Sequence, residues 1–105
     1  RRMAAVRDAM AHSWGAYVKY AWGHDELRPV TRSYEDWHCS TASGPCPQHS
    51  LGLTILDAMD TLWIMDMKAE WQQALDFVRS ELDFERGMKV SVFETTIRML
   101  GGLLS

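Results

Sequence analysis

The stretch SVFETTIR, Ser91 to Arg98, places a carboxylic acid and a guanidinium four residues apart in an apolar setting. On a helix this spacing puts Glu94 and Arg98 on one face, one turn apart. Two chemistries fit. In the first, Ser91 and Glu94 form an S-x-x-E capping box, each satisfying an orphan N–H of the first turn, and Arg98 adds an i,i+4 ion pair. In the second, Glu94 is a carboxylic acid held ready for proton transfer. The line Glu94, Arg98, Gly101, Ser105 carries a glycine where a solvent face would more usually carry Lys, Glu or Ala. Glycines inside a helix cost about 1 kcal/mol each relative to Ala, which makes sense where something must approach the helix closely. The residues alone favour the cap and ion pair.

A second acidic group lies in LTILDAMDTLWIMD, Leu53 to Asp66. Ser50 is placed to cap a helix running to about Asp66 that is apolar on most faces, and such a helix is normally buried. Thr54, Asp57 and Thr61 recur at i, i+3, i+7, with Asp60 beside them. A buried carboxylate costs several kcal/mol unless it is paired or hydrogen-bonded. The acidic stripe therefore implies internal partners or a wet cavity. Read structurally, Asp57 and Asp60 are caps or ion-pair partners for an arginine such as Arg28 or Arg98. Read chemically, they act on a substrate or a catalytic water.

The segment WGHDELRP, Trp22 to Pro29, gathers an aromatic, an imidazole, two carboxylates and a guanidinium, and reads as a polar loop closed by its proline. Cys39 and Cys46 are flanked by His38 and His49, but their spacing matches none of the usual C-x(2–4)-C zinc pairs. A local disulfide in an oxidising compartment and free thiols both remain open. Gly-rich phosphate loops, HExxH pairs and Ser/His/Asp nucleophile arrangements are not present in the sequence.

Four helices are expected to position these groups. Arg2 to about Tyr20 is amphipathic, with Met3, Val6, Met10, Trp14, Tyr17 and Val18 on one side. From Ala21 to His49 the composition shifts to Gly, Pro, Ser, Thr and Cys, predicting a long loop, which in a compact domain hints at a functional rim or an insertion. Lys68 to about Leu82 repeats Trp71, Ala74, Leu75, Val78 and Leu82 at helical spacing. The last helix starts at Ser91, with Phe93, Ile97, Leu100 and Leu104 as its predicted core stripe. No segment alternates as a strand does, so the chain is expected to be all-α, built of helical hairpins.

Bulk composition limits the function classes. Among 105 residues, 47% are hydrophobic and 24% charged, an ordinary globular balance. The net charge of −3 and scattered basic residues argue against nucleic acid as a partner. No apolar run approaches the roughly 18 residues of a membrane span. Five tryptophans and seven methionines are many for this length and suggest a larger structure or a ligand cleft. The opening Arg1-Arg2 and the closing apolar stretch both read as cut ends, so the chain is expected to be a fragment.

Three blocks, YAWGHDELRPVTRS, LGLTILDAMDTLWIMDM and VSVFETTIRMLGGLLS, together resemble the class I α-1,2-mannosidases, glycoside hydrolase family 47. They look closer to the endoplasmic reticulum and plant-type processing enzymes than to the degradation-enhancing mannosidase-like proteins. The resemblance implies that residues 1–105 are part of the catalytic domain, the first hairpins of an (αα)7 barrel. It also implies inverting, Ca²⁺-dependent hydrolysis of terminal α-1,2-linked mannose on high-mannose N-glycans, in the endoplasmic reticulum or Golgi lumen. A membrane anchor would then precede Arg1. It makes Glu94 the acid catalyst, lines the sugar pocket with Arg98, and matches Asp57 and Asp60 to acidic positions near the barrel core. The base carboxylate, a further acid and the Ca²⁺-binding threonine would lie beyond Ser105, so the fragment alone is expected to be inactive. His38 to Gln48 looks like an insertion, so Cys39 and Cys46 do not match the family's own disulfide. The rival is a mannosidase-like lectin or a helical-repeat binding module without turnover.

Overall fold

A 20-residue helix, α1 (Arg2–Ala21), opens the chain, and its predicted apolar side is buried only toward its C-terminal end, at Trp14, Tyr17 and Ala21. Met3 and Val6, in the first two turns, are exposed. The structure, a computed structural model, describes residues 1–37, 50–85 and 90–105. His38, Cys39, Cys46 and His49 lie outside the described residues, and so does the whole of the expected insertion.

The segment read as one long loop contains an antiparallel hairpin, β1 (Glu26–Arg28) and β2 (Ser33–Glu35), paired Glu26 to Glu35, Leu27 to Tyr34 and Arg28 to Ser33. Three-residue strands are too short to show alternation, which is why the sequence pattern misses them. Pro29 and Arg32 (φ 53°) make the turn, and Arg28 donates from Nε to Glu35 at 3.0 Å across it. Arg28 is thus not a partner of the acidic stripe. Tyr17 fastens the hairpin to α1, its hydroxyl donating to the His24 carbonyl at 2.7 Å. Burial pushes that phenol well above its ordinary pKa.

Helix α2 (Leu53–Ile64) and helix α3 (Lys68–Ser80) form the expected hairpin, turning through Asp66 at φ 56°. Ile55, Leu56 and Leu62 are fully buried on α2. Ala74 and Phe77 are buried on α3, flanked by half-buried Trp71, Leu75 and Val78. Phe77, outside the predicted stripe, sits edge-on to Trp22 at 5.7 Å and joins α3 to the Trp14–Tyr17–Trp22 cluster of α1.

Ser50 does not cap α2. Its hydroxyl turns back to the Gly23 carbonyl at 2.8 Å, and Gly52, at φ 65°, occupies the cap position. A Cβ on Gly52 would lie 2.5 Å from the buried Phe77 ring. Gly52→Ala is expected to lower stability by roughly 2–4 kcal/mol, combining a left-handed backbone with overpacking. Chemical denaturation of the full-length protein checks this, and an unchanged midpoint would contradict it.

The last helix is continuous but not uniform: α4 (Val92–Glu94), a π-helical stretch (Thr95–Leu100) and α5 (Gly101–Leu104). Each residue inserted by a widened turn rotates the downstream residues by about 100° relative to a straight α-helix. In this chain the predicted core stripe, Phe93, Ile97, Leu100 and Leu104, is 70%, 52%, 54% and 77% exposed, whereas Met99 is 2% exposed. Gly102 faces α2, where an added Cβ would stand 2.9 Å from the Leu56 carbonyl oxygen. The glycine thus permits close backbone packing of the last helix on α2.

Candidate active site

Ser91 starts the last helix as its sequence predicts, its hydroxyl accepting from the Glu94 backbone N–H at 3.3 Å. This leaves the Glu94 side chain outside the serine's bond. Glu94 is half-buried and lines a cleft with Arg98, Thr95 and Met99 on its own helix. Asp25, Trp37, Leu51 and Leu53 form the opposite wall.

The expected i,i+4 pair between Glu94 and Arg98 is replaced by a longer-range one. Arg98 donates to a single Asp57 oxygen from Nε at 2.7 Å and pairs with it through Nη2 at 2.6 Å. The guanidinium carbon also lies 4.2 Å from the centre of the Trp37 ring. Arg98 is therefore gripped by a carboxylate from α2 and faced by an indole from the end of the hairpin. The widened π-helical turn contains Arg98 and sets its register toward α2. Trp37 is itself oriented, its indole N–H donating to the Glu26 carboxylate.

Deep in the lining of this cleft is Asp25, only 1% exposed and the one buried charged side chain among the described residues. Its Oδ1 accepts from the N–H groups of Leu51 (2.8 Å) and Leu53 (3.2 Å), and its Oδ2 accepts from the Trp37 N–H at 3.1 Å. Its backbone carbonyl also accepts from the Thr54 hydroxyl at 2.7 Å. Asp25 thus supplies, from a distant segment, the N-terminal cap that Ser50 was expected to give α2. Asp36 braces it, one oxygen accepting the Asp25 N–H at 3.0 Å and the other meeting His24 Nδ1 at 3.0 Å. The His24 ring stacks on Tyr34 at 3.5 Å.

The structure thus brings Glu94, Arg98 and Asp57 to one place. Asp60 lies elsewhere, exposed, its carboxylate accepting the Thr61 N–H at 2.7 Å beside a separate apolar groove that includes Trp63 and Trp71. Sequence reasoning missed Asp25 and Trp37. One signal was available: an apolar helix preceded by Ser-Leu-Gly needs an acceptor for its first N–H groups, and an aspartate from another segment can supply it. Among the described residues, no three His, Cys, Asp or Glu side chains are grouped so as to hold a metal ion.

This arrangement sets a carboxyl group and an oriented guanidinium beside one cleft, where both can hydrogen-bond a polar group. Comparison with known proteins adds the family. Residues 9–105 match glycosyl hydrolase family 47. The chain is 45% identical over 104 residues to mouse endoplasmic reticulum mannosyl-oligosaccharide 1,2-alpha-mannosidase, covering 99% of this chain and 14% of that protein. It is 44% identical over 105 residues to Candida albicans mannosyl-oligosaccharide 1,2-alpha-mannosidase, covering all of this chain and 17% of that protein. The solved alpha-1,2-mannosidase from Trichoderma reesei superposes with a TM-score of 0.81 at 35% identity, over 98% of this chain and 20% of that one. That enzyme is an (αα)7 barrel, and the elements of this chain correspond to a fifth of it. The chain belongs to glycosyl hydrolase family 47.

Proposed function

We propose that the full-length protein carrying this chain removes terminal α-1,2-linked mannose from high-mannose N-glycans by inverting hydrolysis. The observation that carries the reading is Glu94 opening on the same cleft as an Arg98 already held by Asp57. It is supported by family membership and by relatives named 1,2-alpha-mannosidases, of which the chain spans about a seventh. In this reading Glu94 is the acid, giving its proton to the glycosidic oxygen directly or through one water. Arg98 orients the sugar and Asp57 orients Arg98. Asp60 contributes at the substrate less directly, from its separate groove. The base carboxylate that activates water on the opposite sugar face stands about 6.5–9.5 Å from the acid in inverting enzymes and belongs to another part of the protein.

Arg98 directs its Nε and Nη2 to Asp57, so the Glu94 carboxyl opens on the cleft beside a guanidinium already engaged by another side chain. Ca²⁺ dependence is part of the proposal on family grounds, and the described residues do not by themselves make up a site for the ion.

The compartment proposed is the endoplasmic reticulum lumen, after the names of the mammalian relatives. The Golgi is the runner-up, and any membrane attachment comes from an anchor upstream of Arg1. Incubating the full-length protein with Man9-type glycan and Ca²⁺ should release free mannose, and chelation should abolish the release. Tight glycan binding without mannose release would establish the lectin reading instead.

A further inference from the structure

We propose that Asp25 is a positioning residue for Arg98, acting through both groups that hold the guanidinium. The proposal rests on the reading of Arg98 as a sugar-pocket residue and extends it to a side chain buried in the cleft lining. Asp25 divides its two oxygens between two parts of the fold. Oδ2 holds the Trp37 N–H at the end of the hairpin, and the Trp37 ring stands 4.2 Å from the Arg98 guanidinium carbon. Oδ1 holds the N–H groups of Leu51 and Leu53 at the start of α2. One turn further along α2, Asp57 grips Arg98 at 2.7 and 2.6 Å. The aromatic face and the carboxylate that sandwich Arg98 are thus both referenced to one carboxylate.

The chemistry explains why an acid stands here rather than an amide. A carboxylate offers acceptors on both oxygens, whereas Asn offers one carbonyl oxygen and an NH₂ group. Asp25→Asn, nearly identical in size, must turn a donor toward either the Trp37 N–H or the two α2 N–H groups. Either choice frees one side of the Arg98 clamp. A buried carboxylate is costly unless its oxygens are met by donors, and here each donor belongs to a segment that touches Arg98's surroundings.

The test is a double-mutant cycle in the full-length protein with Man9-type glycan. It measures kcat, KM and thermal midpoint for wild type, Asp25→Asn, Arg98→Ala and the double variant. Asp25→Asn is expected to lower kcat/KM by about 10-fold or more, the scale of a misplaced charged hydrogen bond. In the Arg98→Ala background it should cause no further loss, because its effect runs through Arg98. Losses that multiply in the double variant would show a general structural role and overturn the proposal.

Trp37 provides an arm that leaves the buried carboxylate intact and decides the matter if Asp25→Asn does not fold. Trp37→Leu keeps the backbone N–H on Asp25 and removes the ring, so KM should rise about 2–5-fold at an unchanged thermal midpoint. Trp37→Phe should restore most of that loss, and Trp37→Leu should be silent in the Arg98→Ala background. A Trp37→Leu enzyme with wild-type KM would overturn the clamp. Normal kcat/KM in Arg98→Ala alone would instead overturn the reading of Arg98, and the proposal with it.

Discussion

Glu94→Gln in the full-length protein is expected to lower kcat about 10²–10⁴-fold, the usual contribution of general acid–base catalysis, while stability barely changes. The structure makes this separation clean. The bond that starts the last helix runs from the Glu94 backbone N–H to the Ser91 hydroxyl, so it survives any change of the side chain at 94. Gln also serves at the third position of a capping box. What disappears is the dissociable proton. If Glu94 were only a cap, the variant would turn over normally and lose at most about 1 kcal/mol of stability. Steady-state kinetics beside thermal unfolding distinguish the two outcomes, and near-normal kcat would remove the catalytic assignment.

Arg98→Ala carries the second large effect. Its removal leaves Asp57 without its cation and the sugar without an oriented donor, so kcat/KM is expected to fall about 10- to 100-fold, the scale of one charged hydrogen bond. Both side chains keep some contact with solvent, at 23% and 36% exposure, so the loss of stability should stay at roughly 1–2 kcal/mol, between surface and buried pairs. Arg98→Lys should recover little of the activity. An ammonium cannot reproduce the flat face presented to Trp37 together with two N–H groups converging on one Asp57 oxygen. Full rescue by lysine would mean that charge alone matters and that the clamp geometry does not.

The parts of the site legible in the sequence are those fixed by local spacing. Ser91 as the start of the last helix follows from S-x-x-E, and the α2–α3 hairpin follows from apolar periodicity. Asp57 was legible as an acid with either an internal partner or a wet cavity around it, and it stands exposed on α2, paired to Arg98. Choosing Arg98 over Arg28 was not, since Arg28 is taken by Glu35 across a hairpin whose strands are too short to show a pattern. Met99 was not legible as the buried side chain of the last helix, because the Thr95–Leu100 stretch is π-helical and departs from the 3.6-residue period. Asp25 was hidden for another reason. Its three N–H partners lie 12 to 28 residues away, and only the folded hairpin brings them together. The tryptophans serve mostly in packing: Trp14 and Trp22 join the cluster around Phe77, Trp63 lies against Trp71, and Trp37 lines the cleft.

If Glu94 supplies a proton to the leaving group, its importance should track how much that group needs one. Fluoride departs without protonation, whereas the glycosidic oxygen of a high-mannose glycan does not. Rates for wild type and Glu94→Gln should be compared on Man9-type glycan and on α-mannosyl fluoride. Proton donation by Glu94 predicts a large loss on the glycan and a rate close to wild type on the fluoride. Equal losses on both substrates would contradict it, placing Glu94 in substrate binding or structure rather than in proton transfer.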